Sequence, residues 1–152
     1  MDNTPSSLEA TIIRRYPHPV SRVYRAWIMP EHLEQWFIPF EGMTLKVERF
    51  DFREGGEYLY RFKSPEGECP VRGKFLVIRP EKSLIYSFMP LAPHPDADKD
   101  TVVSVFFSAL ADGDTEVEIR HTLFPDVAMR DCHSEGWSGA LDNLAKHLSL
   151  GK

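Results

Sequence analysis

Two hydrophobic periodicities divide the chain. Between Thr44 and Phe124, apolar side chains recur at every second position in six segments that predict β-strands: residues 44–52, 57–63, 71–80, 83–89, 101–110 and 115–124. Turn signals separate the segments, among them Gly55-Gly56, Pro65 to Gly67 and Asp112-Gly113. The proline- and aspartate-rich run from Pro90 to Asp100 predicts a long loop. The short connections favour an antiparallel meander.

Helical spacing dominates on both sides of this region. The segment "LEATIIRRYP" predicts a first strand, and "PVSRVYRAWI" and "PEHLEQWF" predict two short helices after it. A long final helix is predicted from about Asp126 to Leu150. Its apolar stripe needs a sheet to cover it and contains Met129, His133, Trp137, Ala140, Leu141, Leu144 and Leu148. Gly136 falls at the border of that stripe, and Gly139 lies on the far flank, where we expect it to face solvent or a neighbour.

The last predicted hairpin can be aligned from its turn. A three-residue loop with Gly113 in the left-handed conformation places three pairs opposite one another: Phe107 and Val117, Val105 and Ile119, Val103 and His121. The other face then holds Ser104, Ser108, Glu116, Glu118 and Arg120. Turn chemistry and hydrophobic phase agree on one inner face, so the alignment predicts that His121 is buried.

Composition fits one globular domain over residues 1–152, with an ordered core from about residue 8 to 150. The chain has 42% hydrophobic and 27% charged residues, and its net charge of -5 gives no electrostatic reason to expect nucleic acid or an anionic membrane as partner. It lacks a signal peptide and an apolar run of about 20 residues, so we expect a cytoplasmic protein. The unpaired spacing of Cys69 and Cys132 predicts free thiols.

Four segments, taken in order, resemble a known family: "PVSRVYRAWIMPEHLEQWF", "FDFREGGEYLYRF", "GKFLVIRPEKSLIYSF" and "EGWSGALDNLAKHL". Together they are similar to the activator-of-heat-shock-ATPase homologue family within the START-like (SRPBCC, birch-pollen-allergen-like) superfamily. The resemblance implies an α+β helix-grip fold, in which a curved antiparallel β-sheet wraps around the long C-terminal helix and two short helices follow the first strand. It also implies a deep, largely apolar cavity between the sheet and the helix.

Members of this superfamily bind lipids, sterols, polyketides and other hydrophobic ligands, and some are enzymes. The leading hypothesis is therefore that a small hydrophobic or aromatic molecule binds in the cavity, for transport, sensing or sequestration. Ten residues are the predicted ligand-binding set: Trp36, Phe37, Tyr60, Phe62, Phe107, Ile119, His121, His133, Trp137 and Leu141.

Two other functions stay open. One is a cyclase- or hydrolase-type enzyme that uses His121 or His133 as a general base. The other is a co-chaperone-like module that stimulates a heat-shock ATPase, although relatives with that role usually carry a separate N-terminal domain for which this chain has no room. A chaperone partner belongs to that alternative. The edge strands and the flank that bears Gly139 also leave a homodimer open.

Several candidate sites have simpler structural interpretations. Tyr58, Tyr60 and Phe62 share a phase that we expect to face inward, which turns Arg61 outward. Arg53, in the "DFREGG" turn, is expected to pair with Asp51 or Glu54. Trp36 and Phe37 end the second short helix, which the resemblance places at the cavity mouth, where they either gate access or pack.

The sequence shows no recognisable catalytic constellation. His121, Cys132 and His133 lack the spacing of a metal motif, and a nucleophilic Cys132 would need a lowered pKa. "REGGEY" lacks the lysine and hydroxyl residue of a phosphate-binding loop, and no Gly-x-Ser-x-Gly elbow is present. We therefore predict no metal, no cofactor and no catalytic residue, which favours binding over chemistry.

Overall fold

The structure is a computed structural model that describes residues 8–150, which form seven strands and three helices. Their bounds are β1 (Leu8–Tyr16), α1 (Val20–Ile28), α2 (Pro30–Trp36), β2 (Thr44–Phe50), β3 (Glu57–Ser64), β4 (Gly67–Arg79), β5 (Ser83–Pro90), β6 (Thr101–Ala109), β7 (Thr115–Phe124) and α3 (Val127–Ser149). Residues 1–7 and 151–152 of the predicted domain lie outside the described part.

All seven strands form one antiparallel sheet in the order β1-β7-β6-β5-β4-β3-β2. Strands β2 to β7 therefore follow one another as the predicted meander. Strand β1 returns to the far edge and pairs with β7 from Leu8 to Tyr16. The curved sheet, the two short helices after β1 and the long α3 confirm the α+β helix-grip fold.

The predicted register of the last hairpin is confirmed. The three expected pairs form between β6 and β7: Phe107 with Val117, Val105 with Ile119, and Val103 with His121. Gly113 has a φ of +92°, the left-handed conformation that glycine adopts without steric cost. His121 has no exposed surface, as the inner phase of β7 predicts.

Helix α3 is fixed at its start and along its inner stripe. The Asp126 carboxylate accepts a hydrogen bond of 2.8 Å from the Met129 N–H, which caps the first turn. The Tyr16 hydroxyl donates to the Leu141 carbonyl at 2.9 Å and ties β1 to the middle of the helix. Six stripe residues are buried, namely Met129, Trp137, Ala140, Leu141, Leu144 and Leu148, while His133 is half-buried. Among residues 8–150, no helix combines the length and apolarity needed to cross a bilayer.

The two glycines of α3 leave room for the segment that connects α2 and β2. A Cβ on Gly139 would clash with the Pro39 carbonyl oxygen, and one on Gly136 would lie 3.1 Å from the Pro39 Cβ. The Asn143 amide also donates to the Ile38 carbonyl at 2.9 Å. Gly139 was expected to face solvent or a neighbour; it is half-buried, and its neighbour is the Pro39 carbonyl of the same chain.

Strand β3 presents its aromatic phase inward, as predicted. Tyr58, Tyr60 and Phe62 are buried, and Arg61 faces outward, where it pairs with Glu48 and Glu68 at 2.9 Å. In the turn before β3, the Arg53 side chain donates to both carboxylate oxygens of Asp51 at 3.0 Å, which is the predicted pairing. Strand β4 begins four residues earlier than predicted, because Ser64 and Gly67 already pair across a tight turn.

Candidate functional site

A cavity of about 130 Å³ lies between the inner face of the sheet and the N-terminal half of α3. Its lining comes from segment 37–43, from β3 to β5, from the loop 91–100 and from α3. The fourteen lining residues are Phe37, Pro39, Phe40, Met43, Phe62, Cys69, Val71, Phe88, Pro90, His94, Cys132, His133, Gly136 and Trp137. Phe40 and Cys132 are exposed, so the cavity reaches the surface beside them.

Aromatic rings build the deep wall of the cavity. The Phe37 ring stacks on Trp137 with centroids 5.3 Å apart, and it meets the Phe62 ring edge-on at 5.7 Å. Phe37 directly follows α2, and its N–H donates to the Leu33 carbonyl at 2.8 Å, which fixes the residue at the helix end. Rigid rings with satisfied backbone groups give an apolar ligand a preformed contact surface.

His133 contributes a hydrogen-bond acceptor to the cavity. Its Nδ1 lies 2.9 Å from the Met129 carbonyl oxygen, which can only accept, so Nδ1 carries the hydrogen. The other nitrogen, Nε2, then has a free lone pair and meets no protein partner among residues 8–150. Burial lowers the pKa of His133, so the ring is neutral at neutral pH.

His94 contributes the opposite polarity. Its Nδ1 accepts a hydrogen bond of 2.9 Å from the Asp96 N–H, so the neutral ring carries its hydrogen on Nε2. Within the described part of the chain, that N–H has no hydrogen-bond partner. Burial also lowers the pKa of His94, which favours the neutral ring. The cavity therefore has one unused donor on the loop 91–100 and one unused acceptor on α3.

His121 lies behind the cavity wall and has no free nitrogen. The Trp137 indole N–H donates to Nδ1 at 3.0 Å, and Nε2 lies 2.7 Å from the Thr101 hydroxyl oxygen. That hydroxyl donates to the Phe88 carbonyl at 2.7 Å, so it accepts from the His121 Nε2–H. Burial holds the pKa of His121 well below its usual value. The neutral ring is thus fully bonded and orients the indole of Trp137.

Four of the ten predicted ligand-binding residues line the cavity: Phe37, Phe62, His133 and Trp137. The other six are buried but do not line it: Trp36, Tyr60, Phe107, Ile119, His121 and Leu141.

Contacts elsewhere in the core account for several of these six. Trp36 does not border the mouth, because its indole N–H donates to the Ala26 carbonyl at 2.8 Å and its ring packs on Trp27. Phe107 lies under α1, where it meets Tyr24 edge-on with centroids 5.3 Å apart. The inner face of the sheet is therefore longer than the cavity, and α1 covers part of it.

Sequence reasoning missed ten lining residues, and four of them lie outside regular elements. Pro39, Phe40 and Met43 belong to the segment 37–43, and His94 belongs to the loop 91–100, so no periodicity marks them. The other six lie on β4, β5 or α3, and among them Phe88 shares the buried phase of β5 with Leu84 and Tyr86. That alternation was the signal that could have found it.

The thiols and candidate metal ligands support no nucleophile or metal site. Cys69 and Cys132 are free thiols, as predicted. Burial and the nearby carboxylates of Glu135 and Asp96 raise the pKa of Cys132, which is opposite to the lowering that a nucleophile needs. Burial raises the pKa of Cys69 to about 11. Across residues 8–150, no three His, Cys, Asp or Glu side chains meet as metal ligands.

Solved structures share this fold over most of the chain. A protein from Chromobacterium violaceum is 27% identical, with a TM-score of 0.79 over 91% of this chain and 96% of its own. CalU16 from Micromonospora echinospora is 26% identical, with a TM-score of 0.69 over 94% and 77%. The AHSA1 protein from Silicibacter pomeroyi, at 21% identity, has a TM-score of 0.81 over 95% and 100%, which shows the fold alone.

Family membership follows from the sequence itself. No curated protein matches the sequence. The family model described as "Activator of Hsp90 ATPase homolog 1-like protein" matches residues 17–149, which include every element from α1 to α3. The chain therefore belongs to the family of activator of Hsp90 ATPase homolog 1-like proteins, within the START-like fold.

Proposed function

We propose that the protein binds a small apolar or aromatic molecule in the cavity between the sheet and α3. The observation that carries this proposal is a cavity with a largely apolar, aromatic lining that reaches the surface beside Phe40 and Cys132. The fold supports it, because START-like domains commonly bind ligands. Transport, sensing and sequestration are the roles that such binding serves.

The size of the cavity limits the ligand. Its volume of about 130 Å³ is close to that of an engineered apolar cavity of about 150 Å³ that takes up benzene. Drug-sized ligands occupy pockets of about 300 to 1,000 Å³. One ring fits the cavity as it stands, and a larger ligand requires Phe40 to swing outward, since this residue is 41% exposed and follows Pro39 in a segment without regular structure.

Thermal shift with toluene, indole and naphthalene tests the proposal. A ligand at about 100 times its Kd stabilises the folded state by about 2.7 kcal/mol, which raises the Tm of a chain of this length by about 5 to 10 °C. Calorimetric titration then gives the Kd and the stoichiometry, for which we expect one site.

Two variants separate cavity binding from surface binding. Cys132→Trp places a large ring at the cavity mouth at low folding cost, because Cys132 is exposed on α3. Glu135→Trp adds the same ring to an exposed position of the same helix outside the cavity lining. We expect the ligand-induced Tm shift to disappear in Cys132→Trp and to persist in Glu135→Trp. Equal shifts in both variants, or none in the wild type, would contradict the proposal.

The two alternatives have narrower support. The enzyme alternative depends on His133, because the ring nitrogens of His121 are both engaged. The co-chaperone alternative depends on the description of the family. Stimulation of an Hsp90 ATPase by this chain would support that alternative, and the same stimulation in Cys132→Trp would show that it does not use the cavity.

A further inference from the structure

Two histidines line the cavity with half of their hydrogen-bonding capacity unused. Among residues 8–150, the Nε2–H of His94 has no hydrogen-bond partner, and the lone pair on Nε2 of His133 has none either. The two residues come from different walls, the loop 91–100 and helix α3. Both side chains line the same cavity of about 130 Å³.

Hydrogen bonds elsewhere fix this arrangement. The Met129 carbonyl holds the hydrogen of His133 on Nδ1, and the Asp96 N–H keeps Nδ1 of His94 as an acceptor. Neither neutral ring can change tautomer without losing its backbone bond. The donor and the acceptor that the cavity offers are therefore set by the backbone, before any ligand binds.

A hydroxyl group complements both members of this pair, because it donates one hydrogen bond and accepts others. An ether or a carboxylate only accepts and leaves the lone pair of His133 facing another lone pair. A hydrocarbon displaces water from both histidine groups without replacing the lost hydrogen bonds, which weakens binding.

We infer that the ligand is a small phenol or alcohol. Its O–H donates to Nε2 of His133, its oxygen accepts from the Nε2–H of His94, and its apolar body lies against Phe37, Phe62 and Trp137. The inference rests on the proposed function, since it specifies the ligand of the same cavity.

Calorimetric titration with phenol, toluene and benzoate at pH 8 tests the inference. Phenol and toluene have nearly the same shape, so the ratio of their Kd values reports the hydroxyl group. In an apolar cavity phenol binds more weakly, because its hydroxyl loses its bonds to water. Here we expect phenol to bind at least as tightly as toluene, and benzoate to bind more weakly than either.

Three variants locate the hydroxyl group. His133→Leu removes the acceptor and should reduce the preference for phenol over toluene about ten-fold, the loss of about one good hydrogen bond. His133→Gln keeps an acceptor oxygen and should retain most of the preference. His94→Leu removes the donor from a loop, away from α3, and should also reduce the preference. Circular dichroism verifies that each variant is folded.

A measurement on the wild type complements the variants. The ¹⁵N signal of His133 Nε2 should move on addition of phenol and stay in place with toluene, because only phenol donates to that atom. This readout remains available even if a substitution at position 133 disrupts folding.

Each outcome decides between the two claims. If no probe binds, the proposed function fails, and the inference fails with it. If toluene binds and His133→Leu leaves the phenol-to-toluene ratio unchanged, the inference is overturned while the proposed function stands. Tighter binding of benzoate than of phenol would also overturn the inference, because it would show that the site recognises an anion.

Discussion

Thr101 is the outermost member of the hydrogen-bond chain that holds Trp137 at the cavity wall. Its hydroxyl has no exposed surface, accepts from the His121 Nε2–H and donates to the Phe88 carbonyl, both at 2.7 Å. Thr101→Val keeps the shape of the side chain and removes both bonds. The His121 N–H is then left buried without an acceptor, a penalty of about 1 to 3 kcal/mol, and the bond to Phe88 contributes about 1 kcal/mol more. We expect a total loss of about 2 to 4 kcal/mol.

Urea denaturation of Thr101→Val gives this free energy of unfolding directly, and the Tm should fall by roughly 5 to 15 °C. Thr122→Val is the matched control. It removes a half-buried hydroxyl on β7 whose bond to the Val102 carbonyl is long, at 3.4 Å, so we expect a loss of about 0.5 kcal/mol. If the two variants lose the same stability, the His121 network does not have the role that we assign to it.

Three further predictions concern the packing around the cavity. Gly139→Ala should lower the free energy of unfolding, measured in urea, by about 1 to 3 kcal/mol, because the added Cβ meets the Pro39 carbonyl. This loss should outweigh the better helix propensity of alanine, and a gain in stability would refute the close approach. Trp137→Ala should lower the free energy of unfolding by about 3 to 5 kcal/mol, because the ring is 4% exposed and stacks on Phe37. A loss below about 1 kcal/mol would mean that the ring adds little to the stability of the core. Burial lowers the pKa of His121, so the unfolded chain takes up this proton first as the pH falls. The stability that the neutral ring contributes is complete above about pH 6.5 and decreases below it by up to about 1.4 kcal/mol per pH unit until the folded-state pKa is reached. Denaturation curves between pH 5 and 7 should show that His121→Gln reduces this slope, and an unchanged slope would show that folding does not lower the pKa of His121.

Local sequence patterns predicted the strand register well where a turn residue and the alternation of apolar positions agree. Gly113 and the apolar phase of β6 and β7 determined every pair of the last hairpin and the burial of His121. The pairing of β1 with β7 has no such local signal, because more than a hundred residues separate Leu8 from its partner Phe124. Local patterns therefore could not predict this pairing.

Sequence patterns found four of the fourteen residues that line the cavity; of the ten that they missed, six lie on strands or on α3 and four on connecting segments. The helical stripe identified Trp137 and His133, and the inner phase of β3 identified Phe62. Periodicity cannot tell which buried residues border empty space, which is why Phe107 and Tyr60 were included although other side chains cover them. His94, half of the proposed recognition pair, lies in a loop whose sequence gives only the signal of a turn.

The central claim is tested most directly by the indole signals of the three tryptophans, Trp27, Trp36 and Trp137, in a ¹H–¹⁵N NMR titration with toluene. Of the three, Trp137 alone lines the cavity; Trp27 stacks on Trp137 with centroids 6.0 Å apart, and Trp36 packs on Trp27 and on the lining residue Phe37. A Trp137→Phe variant assigns the signal. We predict that the Trp137 signal shifts saturably and that the Trp27 and Trp36 signals shift less. Signals that do not move, or that drift together without saturation, would contradict ligand binding in this cavity.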